Sequence, residues 1–155
     1  MSLSVSRMVG TLPASPPRGV LWPREWSTQR PLLERQHDRL EALLLELISL
    51  HQPNGSPWDG PTTIATDQAC RRLIWSLRLH LRLEERWLGQ WGCLCPAHRV
   101  SHGEAGAAAL RGFIQSGGDR QQRLRWLLAL RDWFVPHRDG ADRRAYHLAT
   151  IASQP

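Results

Sequence analysis

From about Pro31 onward, apolar and polar residues alternate with the period of an α-helix, in four successive segments. In the first, about Pro31 to Leu50, Leu33, His37, Leu40, Leu44 and Ile48 recur at steps of three and four, so they share one face. Pro31 suits a first helical turn, where its missing N–H has no helical partner to lose. The run His51-Gln-Pro-Asn-Gly-Ser-Pro then breaks the helix. The second segment, about Thr63 to Trp91, carries Leu73, Leu77, His80, Glu84 and Trp87 in the same rhythm, and Gly92 and Pro96 mark its exit. The third runs from near Pro96 to about Gln115, with His98, His102, Ala105, Ala109 and Phe113 inward. Ser116-Gly117-Gly118-Asp119 reads as a loop that ends in a helix-capping aspartate.

The fourth segment, about Asp119 to Val135, lines one side with Leu124, Leu127, Leu130 and Phe134. Pro136 is expected to end or kink it, since proline removes a hydrogen bond and crowds the preceding turn. Asp139-Gly140 is then expected to form a turn. No strand pattern and no internal repeat interrupts the series. The expected fold is all-α, an antiparallel up-down four-helix bundle over residues 31–150. Residues 1–30 are rich in Pro, Ser and Gly and read as an N-terminal arm, with Trp22 and Trp26 expected to pack on the bundle.

Composition changes this picture little. A chain of 155 residues, 41% hydrophobic and 22% charged, suits one domain around one core. No apolar run reaches the roughly 18–20 residues of a membrane span. The opening residues lack a sustained apolar stretch and carry Pro13, Pro16 and Pro17, unlike a signal peptide, so a cytoplasmic location is expected. The net charge is +6, and all 20 basic residues are arginine. Nucleic-acid binding is one reading of that excess. The arginines are spread over every predicted helix and form no tract, which favours a solvated surface and no nucleic-acid partner. The three cysteines, Cys70, Cys93 and Cys95, form no disulfide framework and read as structural or incidental thiols.

The histidines carry the chemistry. There are seven, and His37, His80, His98, His102 and His137 fall on inward faces or at a helix end. His80 and Glu84 are four apart, about 40° of rotation and roughly 6 Å of rise, so both reach the same place. His98 and His102 repeat this spacing and can bind one ion together. His137 and Asp142 are five apart. A regular helix would splay them, so a break near Pro136 and Asp139-Gly140 is expected to swing Asp142 back. Any one of these histidines alone reads as a hydrogen-bonded core residue. Five of them with two carboxylates, facing inward from all four helices, would be costly unless something neutralised them, and a pair of metal ions would do so.

In order and spacing these residues resemble the hemerythrin family. Glu34-Arg35-Gln36-His37-Asp38-Arg39-Leu40 resembles the acidic-x-Gln-His-x-x-Leu stretch of its first helix. His80-x3-Glu84 with Glu85, His98-x3-His102, and Trp133-x3-His137-x4-Asp142 are similar to the rest of the signature, over roughly residues 22–150. The chain departs from the family in longer gaps between His37 and His80 and between His102 and His137, and at Pro136 and Arg138. The resemblance implies two non-haem iron ions bridged by Glu84, Asp142 and an oxo or hydroxo group. It implies His98, His102 and His137 on one iron, and His37 and His80 on the other, which keeps an open position. Phe134 would lie beside the oxygen pocket.

The implied function is reversible binding of dioxygen, for carriage, storage or sensing, rather than catalysis. Two Fe(II), two carboxylates and one hydroxo bridge sum to +1. That sum is unchanged if neutral dioxygen takes one electron from each iron and the proton of the bridge, so no charge is added to a low-dielectric pocket. An oxidase, peroxidase or nitric-oxide-handling enzyme on the same bundle is the alternative. His51 and His147 fall outside the pattern and are expected at the surface. Replacing His102 by Ala should therefore cost bound iron or stability and replacing His51 neither, as metal analysis and thermal melting of the two variants would show.

Overall fold

The computed structural model describes residues 30–54 and 57–155. The expected packing of Trp22 and Trp26 lies outside the described residues. Helix α1 spans Arg30–His51, α2 Gly60–Gln90, α3 Pro96–Ser116 and α4 Arg120–His137; a π-helical turn, Arg138–Asp142, leads straight into α5, Arg143–Ala152. Among the described residues there is no strand, and α1 and α3 each pack against both α2 and α4. This is the expected all-α four-helix bundle. No described helix is long and apolar enough to cross a membrane.

The helix starts follow local chemistry. Asp59 caps α2 by accepting from the Thr62 N–H at 2.8 Å, with Pro61 in the first turn. Asp119 caps α4, accepting from the Gln122 N–H at 2.9 Å. In α3 the cap is a sulphur: Cys95 Sγ accepts from the His98 N–H at 3.4 Å, ahead of Pro96. Each cap satisfies a donor that the helix itself cannot. Gly117 closes α3 with φ 52°, a conformation that favours a residue without Cβ.

The helical faces read from the sequence point inward, with Leu124 only half-buried. They build two apolar clusters. The larger joins residues such as Leu40, Leu44, Leu73, Leu77, Phe113, Leu127 and Phe134. The smaller holds Leu33, Trp87, Leu88, Ala145, Tyr146 and Ala149. His37 lies between Leu33 and Leu40 on α1, and Glu84 lies between Leu81 and Trp87 on α2. His37 and Glu84 therefore belong to a buried polar layer between the two clusters.

Three expectations are corrected. Pro136 does not break the chain's helical course: α4 ends one residue later, at His137, but the chain stays helical through Ala152, and the place of a break is taken by the π turn. Proline withholds only one N–H, and a locally wider turn follows it directly. Asp139-Gly140 accordingly lies inside the π turn and does not reverse the chain. His51 is not a surface residue: it is 1% exposed, its Nδ1–H donates to the Leu47 carbonyl at 2.6 Å, and the Trp58 ring stands edge-on to it. Its removal opens a hole under the α1 terminus and is no longer expected to be silent. His147 is exposed, as expected.

Packing between α3 and α4 is tightest at Gly112, where an added Cβ would lie 2.3 Å from Trp126 Cδ1. Gly112→Ala should destabilise the fold by about 1–3 kcal/mol, through displacement of a ring that is itself packed. Urea unfolding of the variant would measure the loss. An unchanged midpoint would mean that Trp126 moves freely.

Candidate metal centre

The five inward histidines and two carboxylates meet in one place. His98, His102, His137 and Asp142 offer ligand atoms that all lie within 4.8 Å of one another, and so do His37, His80, Glu84 and Asp142. Asp142 belongs to both sets. Glu84 also faces the first set, with Oε1 3.7 Å from His98 Nε2 and Oε2 4.0 Å from His102 Nε2. The side chains are withdrawn from water, from 0% exposure at Glu84 to 8% at His137.

Each helix delivers its ligands by simple spacing. On α2, His80 and Glu84 are one turn apart, and His80 Nε2 lies 3.1 Å from Glu84 Oε2. On α3, His98 and His102 are likewise one turn apart, and their ring centroids are separated by 4.5 Å. The π turn supplies the remaining pair: Asp142 Oδ1 lies 3.0 Å from His137 Nε2 and 2.9 Å from His98 Nε2. Asp142 Oδ2 lies 3.1 Å from His37 Nε2 on α1.

The hydrogen-bond network fixes which nitrogens carry protons. His80 Nδ1 lies 3.0 Å from Gln36 Oε1, which can only accept, so the proton sits on Nδ1. His102 Nδ1 likewise donates to Glu85 Oε1 at 3.2 Å. Both rings then turn an Nε2 lone pair toward the centre, the usual arrangement of a ligating histidine with a supporting acceptor. His102 Nε2 stands 3.0 Å from His137 Nε2, which is 3.1 Å from His98 Nε2.

These contacts do not satisfy one another. His37 Nε2, His80 Nε2 and both oxygens of Glu84 are buried without a well-formed hydrogen bond. An imidazole lone pair facing a carboxylate oxygen repels it unless a cation or proton lies between. Donors at right angles around a divalent ion with bonds of about 2.1 Å lie about 3.0 Å apart, which is the spacing seen here. The residues therefore fit metal ions, and imidazole with carboxylate suits iron among other transition metals.

Electrostatics agree. Burial, reinforced by neighbouring imidazoles, holds His80 and His102 down at about 3, so both are neutral and ready to ligate. Burial and the Asp142 carboxylate raise Glu84 well above the usual carboxylate range. Burial works to raise Asp142 too, but the close approach of the His137, His37 and His98 imidazoles outweighs it and holds the group well below that range. One carboxylate is thus ionised and the other carries a proton until a cation displaces it.

Phe134 is 2% exposed and stands edge-on to His37, ring centroids 5.7 Å apart. Trp133 stacks on His137 at 4.5 Å while its Nε1–H donates to Ser101 Oγ at 3.1 Å. A cleft of about 250 Å³ has buried His37, Asp142 and Tyr146 at its deep end. Its outer walls are Arg30, Arg138 and Arg143, with Glu34 and Asp139. Cys70 is packed in the larger cluster, and burial pushes its thiol up to about 11, which makes it inert.

Sequence reasoning missed Tyr146, the only tyrosine in the chain. It stacks on His37 at 5.6 Å, and its buried hydroxyl interacts electrostatically with Glu84 without a well-formed hydrogen bond. Its signal was the spacing of four from Asp142, hidden because α5 was not expected. The supporting roles of Gln36 and Glu85 were also missed, although both stand beside a ligand in the chain. No family model matches the chain, and no curated protein or solved structure is found similar to it.

The pKa shifts dictate a pH profile for the metal-free protein. His80 and His102 refuse protons that the unfolded chain takes up below about 6.5, so their contribution is lost as pH falls from there toward about 3. Glu84 has the opposite sign: it keeps a proton that the unfolded chain releases above about 4.5, and stability falls as pH rises toward its raised value. These groups together place a stability maximum near neutral pH. Bound metal should abolish the alkaline decline by taking the place of the Glu84 proton. Denaturant melts between about pH 4 and 9, with and without metal, test this, and a metal-free protein that gains stability above pH 7 would contradict it.

Proposed function

We propose that this bundle is a two-metal protein of the hemerythrin kind, holding two non-haem irons and binding dioxygen reversibly. The observation that carries the reading is the shared carboxylates: Asp142 belongs to both ligand sets, and Glu84 faces both. A single-ion site has no need of that sharing. His98, His102 and His137 would hold one ion and His37 with His80 the other, while Glu84 and Asp142 bridge. When bound, the iron pair supplies the two electrons that dioxygen takes up and returns. The protein's part is to fix the ring orientations through Gln36 and Glu85, to keep bulk water from the ligands, and to set the apolar edge of Phe134 beside His37.

The cleft favours a second reading. Its deep end is His37, Asp142 and Tyr146, and its walls are charged, so a small movement there would admit small hydrophilic molecules to the side of the centre held by His37. A sealed oxygen store gains nothing from such a path. An oxidase, peroxidase or nitric-oxide-handling enzyme on the same bundle would use it.

Metal content per chain and the visible spectrum of the reduced protein before and after air decide between them. About two irons per chain, with a new charge-transfer band that reverses under vacuum, is the expected result. Two irons with no lasting band would favour the enzyme. No bound metal after anaerobic reconstitution with iron would overturn both.

A further inference from the structure

Arg138 is the first residue of the π turn and follows His137 directly. Its side chain leaves the turn and reaches α1. There Nη1 donates to Glu41 Oε2 at 2.7 Å, and Nη2 donates to Asp38 Oδ1. Asp38 is in turn the neighbour of His37. One guanidinium therefore joins the backbone beside a ligand of the first set to the backbone beside a ligand of the second.

The need for such a tie lies in the π turn. In an α-helix, residues five apart point about 140° away from each other. His137 and Asp142 would then not face the same centre. The wider turn, with its i→i+5 pattern, brings them together, but such turns are rare and need external support. Several features hold this one. Pro136 withholds a donor from the turn before it, and Ala145, Tyr146 and Ala149 anchor α5 beyond it. Leu33 and His37 of α1 meet α5 beyond the turn, but neither feature fixes the start of the turn itself against α1. Arg138 does, and its planar fork suits two carboxylates at once.

We propose that Arg138 is a positioning residue: it pins the π turn to α1 and so holds Asp142 where both ligand sets share it. The metal-binding half of this statement rests on the two-metal reading. The pinning of the turn does not. The Arg138 side chain is 25% exposed, Glu41 35% and Asp38 68%, so the pairs add little to global stability. Their effect is local.

The test compares Arg138→Ala, Arg138→Lys and the double variant Asp38→Ala/Glu41→Ala with a control, Arg131→Ala, whose partner Asp132 is exposed and far from the ligands in role. Three quantities are measured: the rate at which a chelator extracts cobalt(II) from the loaded protein, amide hydrogen exchange of the metal-free protein at residues 138–146 and over the other helices, and the melting midpoint. Arg138→Ala and the double variant should lose cobalt(II) about tenfold faster or more, as loss of a supporting group around ligands does. Exchange at the turn should rise, and the melting midpoint should stay near wild type. Lys should restore part of both effects, and the control should match wild type. Wild-type exchange at the turn in Arg138→Ala would overturn the proposal, as would faster exchange spread evenly over all helices. If the wild-type protein takes up no cobalt(II) or iron, the two-metal reading falls, and the exchange data still decide whether Arg138 pins the turn.

Discussion

Two carboxylates that water does not reach govern this molecule. Glu84 and Asp142 are 0% and 2% exposed, and they interact directly. Two negative charges so placed repel strongly in a low dielectric. The chain answers by aiming imidazoles at them from all four bundle helices. Two of those imidazoles, His80 and His102, are held neutral by burial and turn lone pairs inward. Around His80 and Glu84 the result is a set of buried acceptors whose mutual repulsion a cation or a proton relieves. The ring orientations set by Gln36 and Glu85, the one-turn ligand pairs and the widened turn before Asp142 all serve that arrangement.

Much of this was legible in the sequence, for a physical reason. Helical period and burial are both one-dimensional properties, so Leu33, Leu40, Leu73, Leu77, Leu127 and Phe134 announced the core that they form. His80 with Glu84 and His98 with His102 were equally clear, because a spacing of four on a helix fixes a shared face. His137 with Asp142 was not. A spacing of five has no meaning on a regular helix, and Pro136 pointed to a break that a local widening replaced. The fifth helix was hidden behind that expected break, and Tyr146 with it. His51 illustrates the other limit: its burial depends on Trp58 and on the segment after α1, contacts that no local pattern records.

The centre has two unlike sides. On one, Phe134 and the larger apolar cluster press against His37 and exclude water. On the other, the charged cleft ends on His37, Asp142 and Tyr146. The same histidine thus touches both an apolar wall and the end of a charged cleft.

The polar layer also divides the core unequally. Below it lies a cluster of six buried residues, three of them from the short fifth helix, against fifteen above. Apolar contact cannot run continuously through a layer of imidazoles and carboxylates, so among the described residues the smaller end is held by its own area, by the layer and by the Arg30 to Thr150 hydrogen bond. Local opening begins where such support is least. An empty centre leaves that end free to fray, and a filled one fastens it, so occupancy would be legible to a protease as resistance at the carboxyl-terminal helix.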